Sequence, residues 1–200
     1  MTQIGYNKIM LEIIGVLSGL LAIIGSVPYM IDAYKKRIRP HRITWAIFVL
    51  LDVITIVNQL AVGATNSVWV VVGYALANLT IFVLSLRYGV GGTDKLDIIV
   101  LSGAILGVIA WQISGHPIAS IIANLIVITL ALMPTYKKGW IDPKSETSTV
   151  FLWGAIASLL AAISVGKLDY ILLLTPSYTF AIQGALFVVL IRHKLFRRFA

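Results

Sequence analysis

A carboxyl group, Asp52, lies at the midpoint of a long apolar stretch of the chain. Helical spacing places Trp45, Thr55 and Gln59 on the same stripe, with Asn58 adjacent. An ionised carboxylate at the centre of a membrane costs at least ~2.5–3.5 kcal/mol on insertion scales, so such a residue faces a bundle interior or a wet cavity. Two interpretations stay open: Asp52 couples transport to a proton or cation, or it stays protonated and hydrogen-bonds a neighbouring helix.

Amide side chains lie in other apolar stretches. Asn78 and Gln183 each precede an arginine, Arg87 or Arg192, by nine residues, and their donors and acceptors suit a polar, uncharged or zwitterionic ligand. The alternative role is an interhelical hydrogen bond, worth about 0.6 kcal/mol on average. The candidate substrate-binding residues are Asp52, Asn58, Gln59, Asn78, Asn124 and Gln183.

Several residue patterns that carry catalysis or hold a cofactor are absent from this sequence or are divided between the predicted membrane faces. The chain has no cysteine, which removes thiolate nucleophiles and thiolate metal sites. Its three histidines, His41, His116 and His193, are divided between the two predicted membrane faces, so they cannot share a metal. The last apolar stretch lacks a lysine for a retinal Schiff base. We therefore predict a protein that is not an enzyme and that needs no metal or cofactor.

The amino-acid composition indicates that these residues lie in a membrane rather than in water. Of the 200 residues, 59% are hydrophobic and only 12% are charged, about half the charged fraction of an ordinary soluble domain. This predicts an all-α integral membrane protein and excludes a soluble enzyme or a nucleic-acid-binding module. Seven stretches are long enough to span a bilayer: Ile9–Tyr34, Ile43–Val62, Val68–Leu86, Leu96–Ile113, Pro117–Met133, Thr147–Val165 and Tyr170–Ile191.

Basic residues predict the orientation of these spans. Fourteen of the 16 lysines and arginines lie in the loops after the first, third and fifth spans or in the carboxyl-terminal tail. Only Lys8 and Lys167 lie on the other side. The positive-inside rule places the amino terminus outside and the carboxyl terminus in the cytoplasm. The net charge of +8 is then an orientation signal. The short loops favour a prokaryotic inner membrane.

A set of proline, aromatic, basic and glycine residues occurs twice in the chain in the same order, which is a signature of duplicated architectures. Both triplets of spans share a late proline, a Tyr-Lys-Lys segment, a second proline, a tryptophan and a closing glycine in the same order. We predict two parallel three-helix repeats, residues 1–90 and 116–200, joined by a linker helix within residues 91–115. The matched pairs are Pro28 and Pro134, Tyr34 and Tyr136, Pro40 and Pro143, Trp45 and Trp153, Gly63 and Gly166, and Asn78 and Gln183.

This arrangement resembles the SWEET and PQ-loop transporter clan, in which two three-helix bundles are joined through a fourth helix. The resemblance rests on Pro28 and Pro134, the basic loop after each, the closing Gly63 and Gly166, and Asn78. It implies that the third-helix amide lines a substrate pocket and that the two prolines are hinges of the cytoplasmic gate. From the residues alone, the alternative to a hinge is a static kink, or for Pro134 a helix end; the position of Pro28 well inside its stretch favours the hinge there.

We therefore expect a membrane transporter of a small polar solute that works by alternating access between the two bundles. Its partners are then the solute and the lipid bilayer, with no nucleic acid and with a possible homo-oligomer. The alternative is a non-transporting receptor or accessory membrane protein on the same scaffold. An open central cavity lined by Asp52 and Asn78 favours the carrier, whereas a closed, dry interior favours the receptor.

Overall fold

Helices make up almost all of the chain that the computed structural model describes. The described residues are 8–91, 95, 98–99, 101–103, 106, 109, 117–144 and 146–196. The six helices with defined bounds are α1 (Lys8–Tyr34), α2 (Arg42–Ala61), α3 (Val68–Tyr88), α4 (Pro117–Ile141), α5 (Ser148–Ser164) and α6 (Tyr170–Phe196). The expected all-α fold is confirmed for these residues.

The predicted linker helix is described only in part. Residues 98–99, 101–103, 106 and 109, which fall within Leu96–Ile113, are helical. The rest of that span lies outside the described residues, as do the amino terminus before residue 8 and the tail after residue 196.

The helices have the lengths and surfaces of membrane spans. All of α1, α2 and α3, and residues Ile121–Ile141 and Tyr170–Arg192 of α4 and α6, are long and apolar enough to cross a bilayer, whereas α5 is a shorter apolar helix of 17 residues. Large apolar side chains are more than half exposed on the outer faces of the helices, among them Ile9, Ile24 and Val83. A surface of this kind is unfavourable in water over so large an area, and it indicates a membrane protein.

Packing joins the six helices in a closed ring, in which the contact between α1 and α5 is the most extensive; we refer to α1–α3 as the first group and to α4–α6 as the second. In the first group α3 packs against both α1 and α2, and in the second α6 packs against both α4 and α5. Between the groups, α1 packs against α5 and α2 against α4, with a smaller contact of α3 with α5.

The connections between helices show which ends lie together. Thr147, which precedes α5, donates a hydrogen bond to Asp32 Oδ2 near the end of α1 at 2.8 Å. We call this end, which carries the basic segments 35–42 and 137–144, the basic end. At the opposite end, Asn66 Nδ2 donates to the Ser164 carbonyl at 3.4 Å. Helices α1 and α4 therefore both end at the basic end and run in the same direction.

Three predicted helix bounds differ from the structure by more than one residue. The span predicted to end at Met133 continues through Pro134 to Ile141. Contacts with α6 stabilise this extension, because Tyr136 donates a hydrogen bond to the Ile182 carbonyl and Gly139 packs closely against Leu190. Helix α6 likewise continues to Phe196, five residues beyond its predicted end. At the end of α3 the helix extends to Tyr88, because the polar Arg87-Tyr88 pair can continue a helix beyond an apolar span.

Asp169 is the amino-terminal cap of α6. Its Oδ1 accepts hydrogen bonds from the backbone N–H groups of Ile171 (3.1 Å) and Leu172 (3.2 Å), and its Oδ2 lies 3.1 Å from Lys167 Nζ. The hydrogen bond from the Leu172 N–H, together with Lys167, lowers the pKa of Asp169 below its ordinary value.

We expect Asp169→Ala to lower the free energy of unfolding by about 1 kcal/mol, the usual effect of removing a capping side chain. Because the pKa of Asp169 is lowered in the folded state, the charged form stabilises the fold above the ordinary aspartate pKa. That stabilisation is lost as the pH falls through the lowered pKa. Unfolding in detergent micelles at neutral and acidic pH measures both effects. Asp169→Asn, which keeps an acceptor, is the matched control, and an equal loss in both variants would contradict the capping role.

Candidate functional site

A cavity of about 100 Å³ lies at the centre of the six helices. Every one of the six contributes lining side chains, from Ser26 of α1 to Gln183 of α6. Apolar side chains provide most of the lining surface, and nine of the 20 lining residues carry polar hydroxyl, amide or carboxyl groups. Such a lining is typical of small-molecule sites, in which a small number of polar groups orient the ligand.

The carboxylate of Asp52 faces this cavity from α2. Asn78 of α3, a neighbour across the helix interface, donates a hydrogen bond from Nδ2 to Asp52 Oδ2 at 2.7 Å. No other described residue hydrogen-bonds the Asp52 carboxylate, and it is the only charged side chain among the lining residues. The Asn78 amide therefore orients Asp52 while the second carboxylate oxygen stays available to a ligand or a proton.

Tyr74 connects the two groups of helices beside this pair. Its hydroxyl donates to the Gly154 carbonyl of α5 at 2.6 Å. Because a tyrosine has one hydroxyl proton, the Ser158 hydroxyl at 2.9 Å and Gln183 Nε2 at 3.0 Å must donate to the Tyr74 oxygen. Gln183 is thereby held at the cavity with its Oε1 facing Gly154.

The structure brings together three of the six candidate substrate-binding residues, namely Asp52, Asn78 and Gln183. The other three do not line the cavity. Asn58 and Gln59 are buried on α2, one to two turns nearer the opposite end. Asn124 of α4 is buried against α2, where it donates hydrogen bonds to the Leu51 carbonyl at 3.5 Å and to Thr55 Oγ1.

The two prolines predicted as hinges lie within continuous helices. Pro28 is half-buried in α1, and Pro134 lies inside α4 rather than at its end. A third proline, Pro176, is inside α6, is buried and lines the cavity. The hinge role of Pro28 and Pro134 stays a prediction.

A second cavity of about 130 Å³, the basic-end cavity, lies between the central cavity and the basic end. Four apolar side chains line both cavities and so separate them. Trp45 packs on Phe48 with ring centroids 5.6 Å apart. We call the four residues the apolar partition: Trp45, Phe48, Leu132 and Phe151.

Glu146 is a buried acidic residue that lines the basic-end cavity. Its side chain is 7% exposed, and its Oε1 accepts a hydrogen bond from Lys138 Nζ at 2.9 Å. The other oxygen, Oε2, has no hydrogen-bond partner among the described residues, although the Tyr29 hydroxyl lies near the carboxylate. Burial raises the pKa of Glu146 above its ordinary value, and the neighbouring Lys138 ammonium opposes the rise.

The sequence reasoning missed several polar residues of these sites. Tyr74 precedes Asn78 by four residues, and Thr175, Thr179 and Gln183 follow one another at the same spacing. Residues four apart lie on one face of a helix. The helical spacing that identifies the polar stripe of α2 therefore also identifies these residues on α3 and α6.

Gly154 allows Gln183 to approach α5. A Cβ at this position would lie 1.9 Å from Gln183 Oε1 and 2.9 Å from Nε2, so an alanine must displace the amide from Tyr74. We expect Gly154→Ala to weaken the binding of a solute in the central cavity roughly 2- to 13-fold, the equivalent of one neutral hydrogen bond of about 0.5–1.5 kcal/mol.

Equilibrium binding measures this effect, and the thermal unfolding midpoint checks that the variant folds. Because the clash falls on the end of a flexible side chain, we expect the midpoint to change little. Gly184→Ala is the matched control, since a Cβ there meets no atom within 4 Å. Unchanged binding in a folded Gly154→Ala protein would contradict a role for Gln183.

Comparison with known proteins indicates neither a family nor a function for the chain. No family model matches the chain, and no curated protein or solved structure shows significant similarity to it.

Proposed function

We propose that the protein is a membrane transporter that moves a small polar solute by alternating access to the central cavity. The observation that carries the proposal is the cavity itself. In an otherwise apolar chain, it collects the Asp52–Asn78 pair and, beside it, the Tyr74–Gln183 pair. Polar groups inside membrane helices are costly, and they typically mark a substrate or ion pathway.

Pairs of cavity residues support the predicted duplication. Four lining residues of α3 have a lining counterpart 105 positions later on α6: Val70 and Thr175, Val71 and Pro176, Tyr74 and Thr179, and Asn78 and Gln183. On α2 and α5 the offset is 103, which pairs Phe48 with Phe151 and Thr55 with Ser158. A twofold axis along the membrane normal would produce such pairs.

The offset of 103 on α2 and α5 disagrees with one of the matches proposed from the sequence. It is the offset of the closing glycines Gly63 and Gly166, which both have positive φ (81° and 68°). Counting back from them pairs Asp52 with Ala155, so the carboxylate still has no acidic counterpart. The match of Trp45 with Trp153 does not hold, because Trp45 lines the cavity while Trp153 is 39% exposed and packs over Gly25.

The direction of the helices agrees with the same architecture. Helices α1 and α4 end together at the basic end, which the positive-inside rule assigns to the cytoplasm. Two like-oriented bundles that meet through α1–α5 and α2–α4 contacts can rock against each other around the central cavity. At about 100 Å³ the cavity is smaller than the roughly 300–1,000 Å³ of typical small-molecule sites, so a larger solute requires the bundles to open.

Uptake into proteoliposomes tests the proposal directly. The purified protein is reconstituted and offered sugars, amino acids and nucleosides, with and without an imposed pH gradient. We expect one class to accumulate above the level of protein-free vesicles, and a pH gradient to change the rate if Asp52 carries a coupling proton. Saturable binding of a solute that never crosses the membrane would instead support the non-transporting receptor.

A further inference from the structure

The basic-end cavity contains a carboxylate oxygen that lacks a hydrogen-bond donor. Glu146 Oε2 is buried and unpaired among the described residues, whereas Oε1 is bound by Lys138. Buried polar atoms in native proteins are almost always satisfied. Because Glu146 lines a cavity of about 130 Å³, this oxygen is a position to which a ligand can donate.

Positive groups line the same cavity. Lys138 uses one of its three ammonium protons on Glu146, and its side chain is 42% exposed. Arg39, from the α1–α2 connection, also lines the cavity and is exposed. These two cations provide contacts for an anionic group close to the carboxylate that lacks a donor.

We propose that the basic-end cavity binds a small zwitterion, with its ammonium group on Glu146 Oε2 and its anionic group on Lys138 and Arg39. A simple anion would leave Oε2 unpaired and facing negative charge. A simple cation would satisfy Oε2 but would add positive charge to a cavity that Lys138 and Arg39 already line. A molecule that carries both an ammonium and an anionic group pairs with Glu146 Oε2 and with the two cations at the same time.

The neighbouring residues fit such a ligand. Tyr29 and Trp45, with ring centroids 5.1 Å apart, line the same cavity as Glu146, and aromatic rings of this kind attract an ammonium group. Beyond the apolar partition lies a second carboxylate, Asp52. The inference rests on the proposed transport function in one respect: the same ammonium group would meet Asp52 after it passes the partition.

Binding of four matched probes to the full-length protein in lipid nanodiscs tests the inference. L-alanine carries both charged groups, propionate only the anion, ethylamine only the cation and propionamide neither. Equilibrium binding measured by scintillation proximity, with the unlabelled probes as competitors, ranks the four. We expect L-alanine to bind at least about tenfold more tightly than the other three.

Two variants and a control assign the binding to this cavity. Glu146→Gln keeps the shape of the side chain and removes its charge, so we expect the preference for L-alanine to fall at least about tenfold. The double variant Glu146→Gln with Lys138→Gln replaces the ion pair by a neutral hydrogen-bonded pair, and it keeps the test valid if the single variant folds poorly. Glu12→Gln, which changes an exposed carboxylate on α1, should bind like the unaltered protein.

Two results would overturn the inference. One is that L-alanine binds no better than propionate or ethylamine. The other is that its preference survives in a folded Glu146→Gln or double variant. The outcome is separable from transport: Glu146-dependent binding without uptake leaves the site in place and rejects the carrier, while uptake that is indifferent to Glu146 does the reverse.

Discussion

Replacing Asp52 with asparagine is expected to lower solute uptake roughly 10- to 150-fold. The asparagine keeps the size of the side chain and its contact with Asn78 but removes the only carboxyl group that lines the central cavity. A hydrogen bond to a charged group is worth about 1.5–3 kcal/mol, and each 1.4 kcal/mol corresponds to a factor of ten. Initial rates of uptake into proteoliposomes measure the loss.

The same variant separates binding from coupling. If Asp52 carries a proton across the membrane, any stimulation by an imposed pH gradient disappears in Asp52→Asn while counterflow exchange of solute continues. If Asp52 only contacts the solute, both activities fall together. Glu12→Gln serves as the control, because it removes an exposed carboxylate that does not line the cavity. Uptake that stays unchanged in Asp52→Asn would reject any role for this residue.

The sequence predicted the helices well because a helix that spans a bilayer needs an apolar stretch of matching length, which is visible in the sequence. The observed starts of α1, α2, α3, α4, α5 and α6 lie within one residue of the predicted ones. The largest error was at the end of α4, where a proline and a polar segment look like a helix end. Tyr136 and Gly139 contact α6 there, and such tertiary contacts are invisible to a local pattern.

The site was predictable only where a residue type is rare in apolar helices. Asp52, Asn78 and Gln183 stood out for that reason, and they line one cavity. Tyr74 and Ser158 did not, because tyrosines and serines are common in membrane helices and their partners lie 80 or more residues away. Glu146 did not stand out either, because it lies in a polar connection between two helices, where acidic residues are common. Its burial follows from the packing of that connection onto Tyr29 and Lys138.

The absence of cysteine provides a second decisive test, because any introduced thiol is unique. Thr179 of α6 is half-buried and lines the central cavity, so a Thr179→Cys protein reports access to that cavity. A charged, membrane-impermeant thiol reagent is added to one face of sealed vesicles. Lys36→Cys and Lys167→Cys, exposed at the basic end and the opposite end, identify the two faces.

In this background Phe48→Ala is expected to raise the labelling rate of Thr179→Cys from the basic end at least about tenfold. Phe48 is a half-buried member of the apolar partition, and its truncation joins the two cavities. A tenfold change corresponds to about 1.4 kcal/mol of barrier. Phe48→Trp should lower the rate by filling the same space, and Leu50→Ala, on the outer face of α2, should leave it unchanged. Equal labelling in all three would mean that the partition does not control access, and with that result alternating access through the basic end would fail even if the cavity binds a solute.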